Sequence, residues 1–155
     1  MSYNEYYQLM QMGLRLLTTT SIDSAIMFIG MIDLRKGLME FCNCGHNAPI
    51  LDGKFLEAKD TNQPLGLWES DAFVGEVIDD IRDKQLLLYT DGLNGAENKQ
   101  QDRLGDDRII ELMADTANLT SEEVINKLKS AVATHRSGAE PNDDLTLLCL
   151  KIKKL

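Results

Sequence analysis

The chain reads as an α+β sandwich with antiparallel sheets, and three observations carry that reading. Apolar stretches joined by short turn signals fill the middle of the chain, two amphipathic segments come late, and one apolar stretch closes it. Strands linked by hairpins and then helices favour antiparallel sheets with segregated helices over the alternating strand–helix order of a doubly wound parallel sheet.

Tyr6, Leu9, Met10, Gly13, Leu14 and Leu17 recur every three or four residues and predict an amphipathic helix ending near Thr18-Thr19-Thr20-Ser21. Ala25 to Leu34 and Leu38 to Cys44 predict two antiparallel strands, because Gly37 in Arg35-Lys36-Gly37 supplies the positive φ of a tight turn. A second, shorter hairpin is expected where Asp52-Gly53 separates Ile50-Leu51 from Lys54 to Glu57. Asn62 to Trp68 reads as a loop, Phe73 to Ile78 as a strand, and Gln85 to Thr90 as a strand buried on both faces that runs into Asp91-Gly92. A helix is expected after Gly105, with Ile109, Ile110, Leu112 and Met113 as its stripe. Another follows Thr120, which forms a capping box with Glu123 and precedes Val124, Leu128 and Val132 on one face. Leu145 to Ile152 closes the chain as a strand.

The 155 residues have the length of a single domain, 1–155, and at 43% hydrophobic they supply a core. A formal charge of −9, from 25 acidic and 16 basic residues, provides no footprint for a phosphate backbone, so no nucleic-acid partner is expected. No apolar run approaches the roughly 20 residues that span a bilayer, and the N-terminus lacks the pattern of a secretion signal. With three cysteines, two of them in Cys42-Asn43-Cys44, the expected location is the reducing cytoplasm, without disulfides.

Two acidic elements stand at strand boundaries: Asp91 after Leu86–Thr90, and Asp143-Asp144 before Leu145–Leu150. Carboxylates from separate parts of the chain, completed by water, hold hard cations such as Mg²⁺ or Mn²⁺. Asp-Gly and Asn-Asp are also ordinary turn formers, and spacing alone leaves both readings open.

Asn43-Cys44-Gly45-His46-Asn47-Ala48-Pro49, Gln63-Pro64-Leu65-Gly66, Leu87-Leu88-Tyr89-Thr90-Asp91-Gly92-Leu93, Arg103-Leu104-Gly105 and Asp143-Asp144-Leu145-Thr146 follow one another along the chain. In that order they resemble the SpoIIE branch of the PPM-type metal-dependent protein serine/threonine phosphatases, over about residues 24 to 153. The resemblance implies a PPM phosphatase-like α/β/β/α sandwich and removal of phosphate from serine or threonine on a regulatory protein of the anti-sigma antagonist type. It implies two metal ions, Mn²⁺ or Mg²⁺, that share a water or hydroxide attacking phosphorus in line. Carried over by motif, Asp91 and Asp143 are ligands of one metal. Asp144, on the opposite side of a strand, has a supporting role.

The sequence also departs from that pattern. The family opens with a Gly-Asp strand, whose carboxylate bridges both metals, and an Asp-Val-Ser-Gly-Lys-Gly-like element, and nothing here resembles either. Asn94-Gly95 replaces the Thr-Glu pair frequent after Thr-Asp-Gly. The domain is therefore expected to be truncated at its N-terminal end and this chain to be a poor catalyst. A non-catalytic, phosphatase-like binding module is the alternative. A homodimer stays open.

Cys42, Cys44 and His46 fall on one strand face, where small thiols are ordinary core material, and a zinc site would need a fourth ligand. His46 is expected to fix the Gly45–Pro49 turn, His135 and Trp68 to be structural, and Asp79-Asp80 to Asp83 to form a solvated turn.

Overall fold

A computed structural model describes residues 24–58, 62–66 and 74–153, together with Glu5 and Gln8. Apart from Gln8, the helix expected over Tyr6–Leu17 lies outside the described residues, as do Trp68 and the first residue of the Phe73–Ile78 strand. Two compact units emerge, Met1–His46 with Ala58–Arg82, and Asn47–Glu57 with Asp83–Lys154.

The first unit holds a three-stranded antiparallel sheet of β1 (Met27–Asp33), β2 (Leu38–Cys44) and β5 (Glu76–Ile78), in the order β1-β2-β5. Its hairpin turns where expected: Gly37 has φ 72°, and the Asp33 carboxylate accepts the Arg35 and Lys36 N–H groups at 3.0 Å each. Those bonds hold the Asp33 carboxyl below its ordinary pKa, the Lys36 N–H contributing most. Cys42 and Cys44 are buried beside Leu65, and Asn62 Nδ2 donates to Cys42 Sγ at 3.0 Å. The core role expected of both thiols is what is found.

The second unit carries β3 (Ile50–Leu51), β4 (Lys54–Phe55), β6 (Gln85–Tyr89) and β7 (Leu147–Lys151), in the order β4-β3-β6-β7 and antiparallel throughout. Positive φ at Asp52 (48°) and Gly53 (75°) forms the β3–β4 turn. Three helices follow β6: α1 (Asp91–Asn94), α2 (Asp106–Met113) and α3 (Ser121–Arg136). Ile109 and Met113 of α2 and Val124, Leu128 and Val132 of α3 share one core with Ile50, Leu87, Tyr89 and Cys149 of the sheet. Central β6 is buried at four of its five positions, which explains the apolar run Leu86–Tyr89.

The capping box on α3 is complete: Glu123 N–H donates to Thr120 Oγ1 at 3.2 Å, and Thr120 N–H donates to the Glu123 carboxylate at 2.7 Å. The Thr120 N–H, then its hydroxyl, hold the Glu123 carboxyl below its ordinary pKa. A depressed carboxyl favours the folded state above its unfolded pKa, and that contribution fades as pH falls through the folded value. Thr120→Ala should cost about 1 kcal/mol in denaturant unfolding. An unchanged unfolding midpoint would show that α3 does not depend on its cap.

Three expectations need correction. The strand ending at Thr90 stops at Tyr89, and the chain turns at once into α1, because Thr90 is extended (φ −93°, ψ 169°) and serves as its N-cap residue. The closing strand is shorter than Leu145–Ile152. Asp143 and Asp144 lie ahead of that strand, in and just after a bend, so strand alternation does not set the direction of Asp144.

Candidate functional site

Neighbouring antiparallel strands bring the two acidic elements together. Tyr89, the last residue of β6, pairs with Leu147, the first of β7, so the chain leaves one strand and enters the other at the same end of the sheet. Thr90 ties them there: its N–H donates to Thr146 O at 3.1 Å, its hydroxyl to Asp144 O at 2.9 Å, and it accepts the Thr146 N–H at 3.0 Å. Gly92 allows the approach, since a Cβ on it would stand 2.2 Å from Asp144 O. Asp144 takes part in this approach through its backbone carbonyl.

Asp91 and Asp143 line one cavity of about 450 Å³, with Asn94, Arg103, Asp106 and Asn142. Both aspartates are exposed, and each is oriented through one oxygen. Asn47 Nδ2 donates to Asp91 Oδ1 at 2.8 Å, and the Asp144 N–H donates to Asp143 Oδ1 at 2.7 Å. Among the described residues, no hydrogen bond occupies the Oδ2 of either. Asn47 was legible only as part of a turn; its contact with a residue 44 positions away is not local information. The turn itself is clamped by Asn43, whose side chain accepts the His46 N–H and donates to His46 O, both at 2.8 Å. His46 thus takes part in the turn through its backbone.

Asn94-Gly95 makes its own structure. Asn94 Nδ2 donates to Asp106 Oδ1 at 3.0 Å, and Asn142 Nδ2 donates to Gly95 O at 2.8 Å. The Tyr89 hydroxyl also reaches Asp106 Oδ1, at 3.4 Å. Burial, then the charges of Asp106 and Asp91, push that hydroxyl far above an ordinary tyrosine pKa, so it stays protonated and donates.

Carboxylate oxygens are the donors a hard divalent cation prefers, and Asp91 and Asp143 each present one to the same cavity. Among the described residues, no three His, Cys, Asp or Glu side chains gather closely enough to form a fuller metal site. Asp106 lines the same cavity. The described residues do not by themselves gather the ligands of a two-metal centre.

This arrangement of antiparallel sheets and helices is the fold of PP2C-type phosphatase domains. The chain belongs to the SpoIIE family: the family model described as Stage II sporulation protein E (SpoIIE) matches residues 4–153. The SiaA-PP2C domain of Pseudomonas aeruginosa superposes with a TM-score of 0.78 at 17% identity, over 92% of this chain and 58% of that one. The RsbU and RsbW domains of Rv1364c from Mycobacterium tuberculosis give 0.70 at 22% identity, over 99% of this chain and 43% of theirs. The phosphatase domain of the cell fate determinant SpoIIE from Bacillus subtilis, presoaked with Mn, gives 0.60 at 20% identity, over 94% of this chain and 63% of that one. Protein IcfG of Synechocystis is 25% identical over 130 residues, and the aligned region spans 81% of this chain and 20% of that protein. Among the described residues, no helix is long and apolar enough to cross a membrane.

Proposed function

We propose that residues 1–155 form one phosphatase-type domain that removes phosphate from serine or threonine of a regulatory protein, with Asp91 and Asp143 holding one Mn²⁺ or Mg²⁺. The observation that carries this reading is the convergence on one cavity of two carboxylates, each with one oxygen fixed and one hydrogen-bond-free among the described residues. Family membership supports the reaction class, and the all-oxygen donor set supports a hard cation over zinc. Bound there, the cation supplies charge for the phosphoryl oxygens and activates water. The chain's own contribution is positional: Thr90 and Gly92 set the approach of the two segments, and Asn47 aims Asp91.

A phosphoserine peptide incubated with the chain should release phosphate slowly in Mn²⁺ or Mg²⁺, and a chelator should stop the release. Slow turnover is expected because two carboxylates hold a cation weakly. That thin ligand set also favours the second reading, a binding module. Peptide that is bound but never hydrolysed, over a range of both metals, would replace the enzyme with the module.

A further inference from the structure

Of the five motifs, Arg103-Leu104-Gly105 has no part in cation binding, yet each residue has a distinct place. Leu104 is buried in the helix–sheet core, and Gly105, at φ 78°, turns the chain into α2. Arg103 lines the cavity of Asp91 and Asp143, and among the described residues lining it Arg103 is the sole cation beside three aspartates. We propose that Arg103 is the phosphate-binding residue of this site, its guanidinium taking oxygens of the substrate's phosphoryl group. The inference rests on the phosphatase reading and adds a residue to it.

Charge and shape support the assignment. A phosphate monoester approaching three carboxylates is repelled, and one divalent cation offsets only part of that repulsion. Guanidinium presents a planar fork of donors that matches phosphate oxygens in pairs, which an ammonium cannot do. Arg103 has those donors available. Its recorded ion pair, Nε to Glu97 Oε1 at 3.6 Å, is long and lies on a side chain 74% exposed, so it holds the arginine only loosely. Among the described residues, no hydrogen bond occupies either Nη atom.

The backbone beneath the arginine is braced. Glu97 and Arg103 form an antiparallel bridge, and the Leu104 N–H donates to Ala96 O at 2.9 Å. Asn98 Oδ1 accepts the N–H groups of Gln100 (2.8 Å) and Asp102 (3.0 Å) and closes the intervening turn. From α3, His135 Nε2 lies 2.9 Å from Asp102 O, which pins the residue before Arg103. With the backbone already ordered, ligand binding has only the side chain left to fix.

The test compares wild type, Arg103→Ala and Arg103→Lys by calorimetry, with inorganic phosphate and with a phosphoserine peptide and its unphosphorylated twin, in Mn²⁺. Arg103→Ala should weaken phosphopeptide and phosphate binding roughly 10- to 100-fold and leave the unphosphorylated peptide unchanged. Arg103→Lys keeps the charge and the stem but loses the fork, so it should recover only part of the loss. Phosphate and phosphopeptide affinities equal to wild type in both variants would overturn the assignment, as would a wild type that binds neither probe. Mn²⁺ affinity is measured separately: Arg103 variants should leave it unchanged or slightly higher, whereas the cation reading fails only if loss of Asp91 or Asp143 does not lower it. Each idea can therefore fail alone.

Discussion

Gly92→Ala should lose about 3 kcal/mol or more of stability, a fall in Tm of roughly 6–12 °C. The new methyl carbon would sit 2.2 Å from Asp144 O and 2.5 Å from its carbonyl carbon. Both neighbours are backbone, so no side-chain rotation relieves the overlap, and α1 must separate from the segment that leads into β7. That separation would also pull at the three hydrogen bonds through Thr90. Mn²⁺ affinity should fall with stability, since the same contact sets the spacing of Asp91 and Asp143. Gly105→Ala is the control. Its Cβ would meet nothing within 4 Å, but its φ of 78° imposes a left-handed cost of about 1–2 kcal/mol. Equal losses at the two positions would mean that the Asp144 contact is not a constraint.

Hairpins and capped helices were legible because their information is local. Gly37, Asp52-Gly53 and the Thr120–Glu123 pair each specify a turn or a cap within four residues, and each is found as expected. The stripe of Val124, Leu128 and Val132 was readable for the same reason, and all three are buried. α1 was not legible. Four residues are too few for a hydrophobic period, and its sequence, Asp91-Gly92-Leu93-Asn94, carries a turn signal that the structure satisfies by beginning a helix instead. The position of Asp144 was misread because the strand was extended two residues too far toward the N-terminus. Within the site, residue types were visible but their pairings were not. Asn47 with Asp91, Thr90 with Asp144 and Asn142 with Gly95 join residues more than forty positions apart, and only the β6–β7 register brings most of them together.

Asp91→Asn and Asp143→Asn should each weaken Mn²⁺ binding roughly 10- to 100-fold, because each removes one of two anionic ligands from a site otherwise completed by water. Neither change should unfold the chain. An asparagine at 91 keeps a carbonyl oxygen for Asn47 Nδ2, and one at 143 keeps an acceptor for the Asp144 N–H, at nearly constant volume. Wild-type affinity itself should be modest, with a Kd of roughly 1 mM, since charge count is what tightens such sites. The double variant carries the sharper argument. If both carboxylates hold the same ion, removing either leaves a site with little left to lose, and the double variant should lose less than the sum of the two single losses. If each binds its own weakly held ion, the losses should be independent, with two separate events in the wild-type titration. Additive losses would dissolve the shared site, whereas a shortfall, with the circular dichroism spectrum and unfolding midpoint retained, would place both side chains on one cation.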